Sequence, residues 1–293
     1  QNRRLMMKAI YKKEVKSYLT SMIGYVFIFF ILLLEGIYFT AYNLQNAYPL
    51  FGTTLSAVTF IFLILVPVLT MKTIAEERKQ KTDQLLLTAP VSVSEIVLGK
   101  FLAVATVYAI PVLIICLYPM IMGKYGTVSY AMAYTAVLGF ALLGFAQIAV
   151  GVFWSSVTEN PVIAAVVTFI VLFVCYMITG IGSLIPDSSM ASLACYMLLV
   201  LLAAVWIYHM IRNLWIAAVI GIAGEAALAI TYVVKSTLFE GSIQKFLAVF
   251  DITSHFDNFT NGILDLQGVV YFLSVIIIFL VLTVQTITKR RWN

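Results

Sequence analysis

The chain has 293 residues, of which 62% are hydrophobic and only 11% charged, with a net charge of +5 and a mean hydropathy of +1.03. Soluble domains carry roughly 25% charged and 45–50% apolar residues, so this chain lacks the polar surface to coat a water-soluble body. That excludes an ordinary soluble enzyme, a disordered tail and a disulfide-stapled secreted module. It leaves an integral membrane protein, which its continuous apolar runs make all-α.

The first 18 residues read as an interfacial elbow. On a helical wheel Met7, Ile10, Tyr11, Val15 and Tyr18 share one arc, and Lys8, Lys12, Lys13 and Lys16 take the other. Such a helix lies at the membrane surface with its lysines toward anionic headgroups. Glu14 falls inside the apolar arc and requires a neighbouring cation. Met6 and Met7 can each serve as the natural start, which would make Gln1–Leu5 an extension. The apolar run that follows is too long for a cleaved signal and is expected to span the membrane.

A crossing helix needs about 20 apolar residues. That ruler predicts a polytopic bundle of about eight spans: Leu19–Ala41, Thr53–Met71, Leu98–Ile121, Ala131–Phe153, Pro161–Ser183, Leu193–Ile211, Leu214–Val234 and Val269–Thr288. The runs are continuous, without the period-2 alternation of a barrel. The count falls to six if the Leu193–Val234 hairpin, broken only at Arg212 and Asn213, does not cross. Of the 18 basic residues, 15 fall on the side that holds both termini; Lys124, Lys235 and Lys245 fall opposite. The positive-inside rule then predicts cytoplasmic termini. Residues 1–293 read as a single domain with two longer connections, cytoplasmic at 72–97 and external at 235–268.

In the cytoplasmic connection, Glu76, Glu77, Arg78, Lys79, Lys81 and Asp83 crowd into a charged helix that prolongs the second span. A short helix carrying Leu85, Leu86 and Leu87 stops before Pro90, which disfavours helical backbone at Ala89. Ser92 or Ser94 caps the next helix, which opens with Glu95. Exposed leucines beside charges suit a groove on a partner; the plainer reading is a solvated loop.

Two carboxylates, Glu35 and Glu225, fall inside spans, Glu225 beside Gly221 and Gly224, which permit close helix approach. A charge at bilayer centre costs about 2.5–3.5 kcal/mol on insertion scales. Each therefore marks a substrate or proton path, or an interhelical hydrogen bond that packs the bundle. The external connection, rich in phenylalanine, is too apolar to dangle in water. Short helices at the outer interface are expected, with His255, Phe256 and Phe259 as a gate or partner seat, or simply an anchor.

Cys116, Cys175 and Cys195 lie in apolar runs without a C-x-x-C, and His209 and His255 are far apart, so neither a disulfide frame nor a metal site is expected. Gly99-Lys100 and Gly123-Lys124 lack the rest of a phosphate-binding loop, so any ATP must bind another chain.

The run Glu76-Glu77-Arg78, Lys81-Thr82-Asp83-Gln84-Leu85-Leu86, Ala89-Pro90-Val91-Ser92 and Gly99-Lys100 resembles the coupling segment of type-2 ABC transporter permeases. Lys81 stands where that family usually has glycine. Phe153–Pro161 resembles the family's second cytoplasmic turn, while Ser254–Asp265, Val270-Tyr271-Phe272 and Lys289–Trp292 resemble its gliding-motility-associated branch. The resemblance implies a permease subunit of a bacterial inner-membrane exporter. It would pair with a second permease copy or homologue and with a cytoplasmic ABC ATPase dimer. ATP and magnesium would bind the ATPase, with no cofactor and no catalytic residue here. The ATPase-facing residues would be Glu76, Glu77, Arg78, Thr82, Asp83, Leu85, Leu86 and Pro90. The alternative is a non-transporting module that passes the ATPase stroke to an extracytoplasmic partner machine. A lipid-acting membrane enzyme lacks a convincing acid–base pair, and no nucleic-acid partner is expected.

Overall fold

The structure is a computed structural model that describes residues 2–82, 91–211 and 213–291, which form helices and turns with no strand among them. In chain order the helices are α1 (Asn2–Thr20), α2 (Met22–Tyr38, prolonged by a π-helical stretch Phe39–Gln45), α3 (Phe51–Thr59), α4 (Phe62–Thr70) and α5 (Ala75–Lys79). Then come α6 (Val93–Ile115), α7 (Tyr118–Met122), α8 (Tyr130–Val157), α9 (Pro161–Ser183), α10 (Ser189–Ile211) and α11 (Leu214–Val234). The last are α12 (Ser242–Ala248), α13 (Asp257–Thr260) and α14 (Leu266–Arg291).

Among the described residues, five stretches are long and apolar enough to cross a bilayer alone: Met22–Gln45, Val93–Met122, Tyr130–Val157, Pro161–Ser183 and Leu266–Arg290. The count reaches seven if two bent pairs each make one crossing. That range takes in the six-span alternative, and α10 supplies Ser189–Val205 as a shorter apolar stretch among the described residues. The span expected over Thr53–Met71 is itself broken: α3 and α4 meet at an angle of 60°. Pro67 has no N–H to offer Leu63 and its ring crowds that carbonyl, so the turn before it tightens. Leu63 N–H accordingly bonds Phe60 O, and Ile64 N–H bonds Ile61 O.

Packing divides the chain into two compact units, Gln1–Phe173 with Ile252–Asn293, and Val174–Asp251. In the first, α8 is the central post, contacted by α14, α6, α4, α3 and α13. Small residues on α8 permit this enclosure. A Cβ on Gly144 would collide with the Tyr108 ring, so glycine there lets α6 press close. Tyr108 is fully buried between Phe62 and Phe140, and its hydroxyl donates to Phe140 O at 2.7 Å. The elbow α1 packs along α6, with Ile10 over Gly99 and Tyr11 sharing a 3.0 Å hydrogen bond with Thr106. Its apolar arc is thus largely covered by protein.

In the second unit α10 and α11 form a hairpin in which Gly221 faces Ala204 and Gly224 faces Val200, the close approach those glycines predict. Phe239 is buried beneath Tyr196 and Tyr232. Thr179 donates to Asp251 at 2.7 Å, and the Gln244 amide donates to Ile185 O at 2.9 Å.

Candidate functional site

The chain leaves α4 through a turn at Met71–Ile74 and re-enters helix for the five residues of α5. Glu76 and Glu77 lie in its first turn and Arg78 and Lys79 in its last, the order the helix dipole favours. Its end is a Schellman cap: Thr82 N–H bonds Glu77 O at 2.9 Å, and Lys81 N–H bonds Arg78 O at 3.0 Å. The motif demands left-handed backbone at Lys81, which adopts φ +57°. A lysine holds the position that glycine fills at least cost.

On one side α5 is tied to a buried ammonium. Lys100, only 2% exposed, reaches from the second turn of α6 to Glu14 of α1 at 2.9 Å, Glu77 of α5 at 2.9 Å and the Thr73 carbonyl at 2.8 Å. These use all three donor hydrogens of the ammonium. Lys13 sits 3.5 Å from the other oxygen of Glu77, so two cations balance two carboxylates. The cation that Glu14 requires is therefore Lys100, 86 positions away. Beside it the Tyr18 hydroxyl donates to Leu69 O at 3.1 Å and shares a 3.0 Å bond with Thr73. Burial pushes the Tyr18 phenol well above the ordinary tyrosine range, Thr73 works the other way, and Glu14 and Glu77 add to the rise.

On the other side α5 is tied to the end of α8. Arg78, 7% exposed, donates to Ser156 O at 2.7 Å and Thr158 O at 3.0 Å, and pairs with Glu159 at 2.8 Å. The hydroxyl of Ser155, fully buried, accepts from the backbone N–H groups of Ile74 and Ala75, each at 3.1 Å, and donates to Met71 O at 3.1 Å. The first N–H groups of α5 are thus capped by a side chain from another helix. One short helix is fastened to α1, α6, α8 and the turn before α9.

The charged groups of this joint are paired with one another across the elements they connect. Residues 35–284 match the family described as ABC-2 family transporter protein. The chain belongs to the ABC-2 family. An ABC-2 permease is a membrane transport subunit, and its family generally works with a cytoplasmic ATPase partner. No curated protein matches the chain.

Of the predicted ATPase-facing residues, Glu77 and Arg78 are held inside the permease, Glu76 accepts from Gln80 at 2.8 Å, and Thr82 closes the cap. Asp83, Leu85, Leu86 and Pro90 lie outside the described residues. The segment resumes at Val91, and Ser92 rather than Ser94 caps α6: Glu95 N–H bonds Ser92 Oγ at 3.3 Å, and Ser92 N–H bonds the Glu95 carboxylate at 3.1 Å. Sequence reasoning missed Lys100, Ser155 and Glu159 as parts of the site. A lysine two turns into an apolar helix, with Glu14 stranded on an apolar arc, was the available signal.

The remaining predicted residues of the permease lie elsewhere. Glu35 is fully buried in α2, and neither oxygen has a hydrogen-bond partner among the described residues. Glu225 on α11 also lacks such partners for both oxygens. His255 stacks on Tyr271 with ring centres 3.7 Å apart. Phe256 and Phe259 are 2% and 0% exposed, so they are a wedge and not an open seat. Phe259 packs where a Cβ on Gly139 would stand, and the segment also touches α3 and α14.

Proposed function

We propose that this ABC-2 permease is the membrane subunit of an ATP-driven exporter, powered by separate ATPase subunits that grip residues 83–90 from the cytoplasm. The observation that carries the reading is the fastening of α5. A push on the segment beyond Thr82 has a stiff path, through Arg78 and Ser155, to the ends of α8 and α9. A second path runs through Glu77 and Lys100 to α6 and the elbow. A solvated loop needs neither. The placement of the basic residues supports cytoplasmic termini, and the likeness of the 76–100 run to type-2 permeases supports a bacterial inner membrane. A second permease, as copy or homologue, completes the unit. We also place the chain with the gliding-motility-associated branch, on its likeness over Ser254–Asp265 and Lys289–Trp292.

Co-purification of the permease with its ATPase tests this. ATP hydrolysis is expected to follow the wild-type chain and to be lost from the preparation in Leu85→Asp and Leu86→Asp variants that still insert in the membrane. A wild-type chain that brings no ATPase, or variants that retain it fully, would overturn the reading.

A further inference from the structure

Between α1 and the foot of α4 the structure has a cleft of about 670 Å³, within the roughly 300–1,000 Å³ range of small-molecule sites. Its position is informative. Ser21 and Ile23, where α2 begins, line it together with Lys72 and Thr73, where α4 ends. Both helices belong to membrane spans, so the cleft lies where hydrocarbon gives way to headgroups.

The charges inside it come out unevenly used. Lys13, Lys100, Glu14 and Glu77 cancel within the joint. One cation and one anion on the wall remain. Lys72 has no hydrogen bond or ion pair among the described residues, and Glu76 receives only the Gln80 amide, on one oxygen. Four positions apart on a continuous helix, these two would pair. The Met71–Ile74 turn breaks the helix between them, and no ion pair forms. Ser17 offers a further exposed hydroxyl on the α1 wall. Ile23 lines the cleft at the start of α2, where its neighbours Met22 and Tyr25 are 81% and 61% exposed.

A ligand that satisfies this wall carries one anionic and one cationic group close together on an apolar tail. We propose that the cleft binds the headgroup of an aminophospholipid of the phosphatidylethanolamine class. Its phosphate is held by Lys72 and Ser17, its primary ammonium by Glu76, and its acyl chains lie along the start of α2. A primary ammonium donates hydrogen bonds to a carboxylate, which a quaternary one cannot do. Quaternary ammonium groups are recognised by aromatic cages, and the aromatic side chain on this wall is Tyr18, buried with its hydroxyl engaged. A net-anionic lipid leaves Glu76 facing like charge.

The full-length chain in detergent, titrated with phosphatidylethanolamine, phosphatidylcholine and phosphatidylglycerol of one acyl composition, tests this by native mass spectrometry. Phosphatidylethanolamine is expected to be retained about tenfold better than phosphatidylcholine, the order of one charge-assisted hydrogen bond. Glu76→Gln brings the two level, Glu76→Asp restores a preference, and Lys72→Gln weakens both lipids. Equal retention by the wild type, a preference that survives Glu76→Gln, or tighter binding of phosphatidylglycerol would overturn the assignment. None of these readouts requires an ATPase, so the site stands or falls separately from the exporter reading.

Discussion

Glu14 and Glu35 are both buried carboxylates on neighbouring helices of one unit, yet they stand in opposite circumstances. Glu14 meets Lys100 at 2.9 Å in a network whose charges balance, and the neighbouring Arg78 is likewise satisfied by two carbonyls and a carboxylate. Glu35 has no hydrogen-bond partner among the described residues. A buried charge costs desolvation in either case, and pairing with hydrogen bonds offsets what isolation leaves uncompensated. The foot of the bundle is a closed set of paired charges, whereas Glu35 is buried without such a pairing among the described residues.

The sharpest way to break this contrast is to remove the central cation. Lys100→Met strands Glu14, leaves Glu77 only the more distant Lys13, and is expected to cost about 3–5 kcal/mol in unfolding of the purified chain. Adding Glu14→Gln and Glu77→Gln should recover most of that; a single variant as stable as the triple would mean the network is not closed as described. Arg78→Ala comes next, at about 2–3 kcal/mol, because it strands two carbonyls as well as a carboxylate. Glu159→Ala, at the 73% exposed end of the same pair, should cost no more than about 1 kcal/mol. Equal losses on thermal unfolding would show that the pair, and not the carbonyl clamp, holds α5. Glu35→Met should act in the opposite direction and stabilise the fold by about 1–3 kcal/mol. If transport falls while the unfolding midpoint rises, Glu35 serves the path; a lower midpoint would reveal a structural bond. The smallest effect belongs to Lys81→Gly. It relieves about 1–2 kcal/mol of left-handed strain against roughly 0.5–1 kcal/mol of added chain entropy, so the midpoint should rise slightly.

The spans were legible because hydropathy over about 20 residues is a strong signal, and the Ser92 cap because its chemistry is local. The break between α3 and α4 was not, since a composition window does not see the turn that Pro67 imposes. At the site, Glu77 and Arg78 were readable as notable but not as inward-facing. Their partners, Lys100 and Glu159, lie 23 and 81 positions away, and only packing brings them together. Phe256 and Phe259 misled for a related reason: aromatic residues in a connection read as surface until Gly139 supplies the notch that buries them.

The most direct test of the central claim uses a cysteine at Leu85, with Cys116, Cys175 and Cys195 replaced. In intact cells an impermeant maleimide should leave it unlabelled. In inside-out vesicles it should react, and the bound ATPase should protect it. Labelling from outside, or full reactivity in the presence of the ATPase, would contradict the account that this segment carries an engine's stroke into the α5 joint.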